Sequence, residues 1–570
     1  MRRTVNVEGK PLVPGRVSGR VLYSNSPLNF WTEVNHQTGT IVSSTHTLNG
    51  KNIKDHILAV TFDLGSYGVS LAILELLKNK CAPRGIILRD GGEATTAGVI
   101  IALTHFNEYI PVFRTAHRQD YTLLRTCRYA CIGLDGLQAG PDPITNSLPL
   151  WPPRYDSIKL SASDRDMLNG EACGATKMAM EILSQFASAQ GAPNLMDIGL
   201  VHIGGLSANS AGAAVLETLY DRGGRFCVNT TIGPASIYLQ RWMELFAPAT
   251  VVGILNDNAK TLDKMGATII EPKEFEKKVP RMGSLASMGE RHWRVFENSM
   301  RRGKWPIYPD LIDVCVAITG REPAVGDSTA NWRMAEKLLR VVAPKKKFED
   351  TYYLVLGCAV GRYCNHQIPL MEWTVEDPSE SDVLSFAAGF VTTSSAPMFH
   401  IKGVTPDADK YFTEKLLGVN VEESYLLFAR RVLTTAEDDT VRFVLLGNPI
   451  FSLDEFKILS ALCDKGPKLD EVDFVITTDI DTYDKAESSG YLGSVNKFGA
   501  QVKVDEYWFN LAGSADESRL GNIMTNSTRY AHYPANKASR GVQFGSLRQC
   551  VEAARTGRVE GFEGSTPAPE

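Results

Sequence analysis

Nothing in this 570-residue chain approaches the roughly 20 consecutive apolar residues that a membrane span needs, and Met1–Gly15 carries two arginines with no apolar stretch of a secretion signal behind them. An excess of one charge is lacking as well. With 60 basic and 65 acidic residues the formal charge is -5, which gives no electrostatic reason to expect nucleic acid or an anionic membrane as partner. Cysteine is sparse: Cys81, Cys127, Cys131, Cys173, Cys227, Cys315, Cys358, Cys364, Cys463 and Cys550 are spread too thinly for a disulfide framework. They read as reduced thiols of a cytoplasmic protein. Cys127 and Cys131 lie near no histidine, and Cys358 and Cys364 precede His366, but neither spacing is that of paired Cys-x-x-Cys zinc ligands. Structural cysteines and no metal are therefore expected. Walker A, dinucleotide, nucleophile-elbow and HExxH patterns are all absent. What remains as partner is a small molecule or another protein, with the oligomeric state unspecified.

A chain this long exceeds what one core supports, so at least two domains are expected. Residues 1–140 hold short β-type runs, RVSGRVLY, GTIVSS, HILAV, RGIILR and IPVF. Helical spacing appears in GSYGVSLAILELLKNK and ATTAGVIIALTHF between them. Five prolines, Pro141, Pro143, Pro149, Pro152 and Pro153, make 141–157 a linker. Residues 158–560 then alternate helices with apolar strands. The helices are DRDMLNGEACGATKMAMEILSQFA, AGAAVLETLYDRGG and DEFKILSALCDKG, and the strands are IGLVHI, RFCVNT, YYLVLG, RFVLLG and VDFVITT. This alternation predicts an α/β fold of mainly parallel sheets covered on both faces. The tail 561–570 reads as disordered.

Three segments hold candidate chemistry. In DLGSYGVS, Ser66 and Ser70 sit in a glycine-containing turn at a helix start, where free N–H groups favour an anion or an incipient alkoxide; an N-cap with turn serines explains the same pattern. From Thr525 to Arg540 the chain crowds hydroxyl, amide, imidazole and guanidinium groups, namely Asn526, Ser527, Arg529, His532, Tyr533, Lys537 and Arg540, a dense set of donors for a carboxylate or phosphate. The run NTTIGP places Thr230 and Thr231 just after the strand RFCV, at the strand end where parallel sheets bind ligands.

The segments MLNGEACGATKMAMEIL, VHIGG, NTTIGP, YPDLIDVCVAITGREPAVG, MFHIKGVTPDA, MTNSTRYAHY and RGVQFGSL together resemble the aconitase X proteins, in the form with a swivelling domain fused ahead of the catalytic domain. The resemblance implies a swivel domain over 1–140 and a dehydratase acting on a small hydroxy acid, such as cis-3-hydroxy-L-proline or phosphomevalonate, in the cleft between domains. It also implies a swivel-domain serine, at Ser66 or Ser70, that removes the proton alpha to the carboxylate, and an iron-sulfur cluster that polarises the departing hydroxyl.

The chain departs from that pattern at the cluster. Where the family has cysteines, this sequence has Ile270 to Pro272, Asn448 in GNP and Tyr507 in DEYW. Leu64, Gly233 and Ser328 replace an arginine, an asparagine and a histidine. Asn and Tyr are poor iron ligands, so a protein without a cluster and without any cofactor is expected. The leading expectation is a metal-independent lyase or isomerase for a small hydroxy or amino acid. In it Ser66, Tyr507 and His532 are catalytic, and Ser70, Thr230, Thr231, Asn448, Asn526, Ser527, Arg529, Lys537 and Arg540 bind substrate. Two alternatives stand: an iron-sulfur hydro-lyase such as a 3-hydroxyproline dehydratase, its cluster held by Cys173, Cys227, Cys315 or Cys358, and a catalytically silent homologue that binds a metabolite or partner.

Overall fold

Eight short strands near the N-terminus follow a pattern of buried β-branched residues: β1 (Val5–Val7), β2 (Gly9–Val13), β3 (Val17–Tyr23), β4 (His56–Val60), β5 (Gly85–Leu88), β6 (Val112–Thr115), β7 (Tyr129–Gly133) and β8 (Gly136–Gly140). In the computed structural model they form one sheet in the order β1-β8-β7-β3-β4-β5-β6-β2. Strands β3 to β6 run parallel, and the flanking pairs are antiparallel. Only Glu8 separates β1 from β2, yet they occupy opposite edges, so the sheet curls until its edges meet. The structure describes residues 4–43, 46–63, 68–133, 136–144, 158–203, 209–232, 249–269, 286–287, 291–302, 308–325, 333–342, 348–373, 378–412, 416–447, 451–504, 521–532 and 541–562. Most of the expected linker and the tail from 563 lie outside them.

Helices α1 (Gly68–Lys78) and α2 (Glu93–Phe106) connect the parallel strands. They cross so closely that a Cβ at Gly98 would stand 2.4 Å from the Ser70 carbonyl oxygen. Only glycine fits there.

The expected long helix from Asp164 is two, α3 (Ala162–Asn169) and α4 (Gly174–Gln190). The break falls at Gly170, whose left-handed φ of 84° ends α3. Strand β9 (Leu200–Ile203), helix α5 (Ser210–Asp221) and strands β10 (Asn229–Ile232), β11 (Thr268–Ile269) and β12 (Ala286–Ser287) follow, and the strands form an all-parallel sheet. Strand β10 begins later than RFCVNT predicts. The Phe226 and Cys227 amides bond to Met265 and Ala317 carbonyls outside the ladder, so NTTI is the strand itself rather than the turn after it.

Helices α6 (Arg291–Met300) and α7 (Asp310–Thr319) precede a second parallel sheet, β13 (Lys337–Val341), β14 (Pro369–Trp373), β15 (His400–Ile401) and β16 (Gly418–Val421). Between its strands lie α8 (Tyr352–Cys364), α9 (Glu380–Thr393) and α10 (Glu423–Arg431). The run YYLVLG, expected as a strand, is the first half of α8. A Cβ at Gly357 would lie 2.2 Å from the Phe386 carbonyl oxygen, and one at Gly389 2.1 Å from that of Leu354. These glycines let α8 and α9 press backbone to backbone, and that packing settles an apolar run whose periodicity is ambiguous.

The third sheet is also parallel, in the order β19-β18-β17-β20-β21, from β17 (Phe443–Leu446), β18 (Asp473–Thr478), β19 (Gln501–Val504), β20 (Ile523–Thr525) and β21 (Val542–Phe544). Helices α11 (Leu453–Cys463), α12 (Thr528–His532) and α13 (Leu547–Thr556) belong to this unit.

The N-terminal unit does not end its core where its sheet ends. Leu71 and Ile73 of α1 share one buried cluster with Met178 and Ile182 of α4 and Leu311 of α7. At this join the buried Glu75 carboxylate accepts from Ser210 Oγ at 2.8 Å and from the Ala211 amide at 2.9 Å, capping α5 from a neighbouring unit. Glu75→Ala would leave the buried Ala211 amide without its acceptor, while the exposed Ser210 hydroxyl can turn to water. A loss of about 1–3 kcal/mol is expected in urea unfolding, and an unchanged midpoint would show that water serves the α5 N-terminus instead.

Candidate active site

The carboxyl ends of parallel strands are where their loops gather ligands. In the first unit β4 ends at Val60 and β5 at Leu88, adjacent in register. Buried Asp63 follows β4 and accepts from the Gly92 amide at 3.0 Å and the Thr95 amide at 2.9 Å, at the start of α2. Arg89 and Asp90 follow β5 and pair at 2.5 Å.

Burial, with the nearby Glu93 carboxylate adding to it, pushes the Asp63 carboxyl up to about 6. A carboxyl raised on folding contributes stability that is complete below its unfolded value near 4 and is lost as pH rises through about 6. Asp63→Asn keeps an acceptor oxygen and removes the titration. The stability of the wild type relative to this variant is expected to fall by on the order of 2 kcal/mol between pH 4 and pH 7, read from paired urea curves. A constant difference would mean that Asp63 does not titrate in that window.

In the second unit the buried pair His202 and Thr231 is hydrogen-bonded, Nδ1 to Oγ1, at 2.8 Å across the carboxyl ends of β9 and β10. Thr230 turns its hydroxyl to the Val228 carbonyl at 3.0 Å.

In the fourth unit Thr525 Oγ1 donates to the Leu445 carbonyl at 2.7 Å, tying the ends of β17 and β20 together. Buried Asn526 donates to Glu455 Oε1 at 3.4 Å. Glu455, in turn, accepts from the Ser452 amide and hydroxyl at 2.8 Å each, and burial pushes its carboxyl up. Ser527 is buried and accepts from the Tyr530 amide at 3.4 Å, and half-buried Arg529 rides on α12. His532 closes α12, where burial and the Arg362 guanidinium of α8 push its imidazole down to about 3.

One turn earlier on α8, the Cys358 thiol donates to the Gly389 carbonyl of α9 at 3.3 Å. Helix α8 packs against α12 here, close enough for the Arg362 charge to act on His532. The next residue of α8, Tyr363, accepts Lys337 Nζ on its carbonyl at 2.7 Å. Burial lowers the Lys337 ammonium, and Arg118 and Arg89 of the N-terminal unit push it the same way.

Of the residues expected from sequence, His532, Arg529, Asn526 and Ser527 come together on one strand-helix turn, while Thr230 and Thr231 lie on β10. Ser70 is inside α1, buried against α2. Ser66, Tyr507, Asn448, Lys537 and Arg540 lie outside the described residues. Arg362, Asp63, His202 and Glu455 were not expected. VHIGG held the signal for His202, and Arg362 was hidden because its helix reads as a strand.

All ten cysteines are among the described residues. No group of three or more His, Cys, Asp or Glu that could hold a metal occurs among those residues. Cys173, Cys227, Cys315 and Cys358 form no such group. Burial pushes the thiols of Cys358, Cys364 and Cys463 up to about 12, and those of Cys315 and Cys550 upward as well, which disfavours the thiolate that a cluster binds. The cysteine set does not fit a three-thiolate cluster.

Family models of the aconitase X swivel domain (residues 6–137), first domain (157–331), second domain (335–426) and third domain (441–556) match the chain in that order. The chain belongs to the aconitase X family. The cis-3-hydroxy-L-proline dehydratase of Hypocrea jecorina is 32% identical over 97% of this chain and 96% of its own length. The enzyme of that name from Pseudomonas aeruginosa is 32% identical over 96% of each. The crystal structure of Thermococcus kodakaraensis aconitase X in its holo-form superposes with a TM-score of 0.59 at 23% identity, over 70% of this chain and 100% of that one, a likeness of fold. This aconitase X chain is thus an enzyme of the lyase kind, with its swivel domain built into the same core as its first domain. No helix of the described residues is long and apolar enough to cross a membrane.

Proposed function

We propose that this aconitase X chain is a cluster-free lyase or isomerase that removes the proton alpha to the carboxylate of a small cyclic hydroxy or amino acid of the hydroxyproline class. The cleft would be the junction of the swivel, second and third domains. The observation that carries the reading is the cysteine set: all ten residues are placed, and no three of them meet. Positioned acid and base groups supply about 10²–10⁴-fold, enough for proton transfer without a Lewis acid.

In this reading Ser66 takes the alpha proton or contacts the developing oxyanion, and Arg529, Lys537 and Arg540 hold the carboxylate. His532, neutral at working pH, serves as a neutral hydrogen-bonding group, which leaves Tyr507 as the proton donor. The identity to two named dehydratases supports a second reading, an iron-sulfur hydro-lyase with ligands drawn partly from other residue types.

The deciding measurement is iron and acid-labile sulfide with the visible spectrum, on protein purified without oxygen. It is paired with NMR detection of deuterium entering the alpha position of cis-3-hydroxy-L-proline and L-proline in D2O. Colourless, iron-free protein that exchanges the alpha proton is expected. Brown protein with stoichiometric iron and sulfide selects the hydro-lyase.

A further inference from the structure

Between the swivel and first domains lies a partly open cavity of about 250 Å³ that no residue of the candidate active site lines. Strand β2 forms one wall, and the last turns of α4 with Gly191 to Pro193 form the other. Leu12, Val13, Pro14, Ile100, Ala192 and Pro193 make these walls largely apolar. At about 30 Å³ for each water the space would hold about eight, or one small organic molecule.

Two polar side chains line the same space, and each has bonding capacity that the protein leaves unused. Gln185 of α4 is only 7% exposed. Its Nε2 donates to the Glu181 carbonyl at 3.1 Å and to Thr104 Oγ1 at 3.5 Å, while the Thr104 hydroxyl spends its own proton on the Ile100 carbonyl at 3.0 Å. Those contacts fix which way the carboxamide points, since turning it over would set Oε1 against the Glu181 carbonyl. Oε1 is left buried with no donor among the described residues, a state that costs free energy until a donor arrives. Lys10 Nζ donates to the Ala189 carbonyl at 3.1 Å, and a Cβ added to Gly191 would stand 3.5 Å from it, so the ammonium lies over the C-terminal end of α4. That bond uses one of its three donors, and no carboxylate among the described residues pairs with it.

The occupant must bring a donor for Gln185 Oε1, an anion for Lys10 and an apolar body for the walls. Water supplies only the first, a fatty acid lacks the donor, and an amine lacks the anion. An α-amino acid with an aliphatic side chain brings all three, and its ammonium is further favoured by the negative end of the α4 dipole. We propose that this cavity binds a free branched-chain amino acid such as L-leucine, with the ammonium on Gln185 Oε1, the carboxylate on Lys10 and the side chain against Leu12, Ile100 and Ala192. The inference stands apart from the reaction proposed above. Because the walls belong to two domains, the occupant fastens the swivel domain to the first and stabilises the folded chain by mass action.

The test is calorimetric titration of the full chain with L-leucine, with L-leucinamide, which lacks the carboxylate, and with 4-methylpentanoate, which lacks the ammonium. The wild type should bind L-leucine with a Kd of about 1 mM or below, and saturating L-leucine should raise its urea midpoint. Each analogue should bind about 10- to 100-fold more weakly, the worth of one charge-assisted hydrogen bond. Lys10→Met, a change at an exposed residue, should weaken L-leucine by the same factor and leave L-leucinamide no weaker. Gln185→Met should weaken L-leucine to the level of 4-methylpentanoate and leave 4-methylpentanoate unchanged.

Absence of L-leucine binding by the wild type at tens of millimolar overturns the proposal. Equal weakening of all three compounds in either variant, or L-leucine binding that ignores both substitutions, does so too. Should Gln185→Met fail to fold, Lys10→Met with the three compounds decides the question by the same criterion.

Discussion

Asp313→Ala is expected to destabilise the chain by about 3–5 kcal/mol, among the largest effects any single side chain here should have. Asp313 on α7 and Arg294 on α6 pair at 3.0 Å with both side chains fully buried. Removing the carboxylate takes from the buried guanidinium its ion-pair partner in a dry interior, and that penalty, rather than the worth of the pair, sets the size of the effect. The pair also spans two cores. Val295 and Phe296, which flank Arg294, pack with Phe386 and Phe390 of the second domain, whereas Leu311 and Val314, which flank Asp313, belong to the core that the swivel and first domains share. The variant should therefore show an earlier guanidinium chloride midpoint and a transition that separates into two steps. Replacing both partners, Arg294→Met with Asp313→Leu, should recover most of the loss, because a buried pair exchanged for apolar groups of similar volume is often neutral or better. A loss below about 1 kcal/mol in the single variant would mean that other groups satisfy Arg294 unaided.

The sequence announced its sheets more readily than its site. Strands such as HILAV, RGIILR and VDFVITT are short β-branched runs bounded by turns, and each became a buried parallel strand. YYLVLG failed for a reason that no window of sequence contains: Gly389, more than thirty residues away, is what Gly357 packs against. The same distance hid Arg362, since a residue taken as following a strand gives no hint that it lies beside His532. Motif crowding did mark Asn526 to His532, because polar groups at the end of β20 are contiguous in the chain. Asp63 and Glu455 were not marked, since each is made significant by burial and by amides from another segment, and a lone carboxylate in sequence carries neither fact.

Ser66→Ala is expected to lower turnover by about 10²–10⁴-fold with the fold intact, the range that loss of a positioned acid-base group produces. Ser66 is three residues beyond Asp63, whose carboxylate is fixed to the start of α2, and two before Gly68, where a Cβ would lie 2.8 Å from the Trp31 ring. The substitution removes a single oxygen, so urea stability should stay within about 0.5 kcal/mol, and pyrrole-2-carboxylate should still bind through groups elsewhere in the cleft. The informative comparison is between turnover and alpha-proton exchange. If both fall together, the serine acts at the proton-transfer step. If exchange survives while turnover falls, it acts later, on the departing or returning group. Full activity in both would take the swivel serine out of the reaction and shift the search for the base to other groups of the junction.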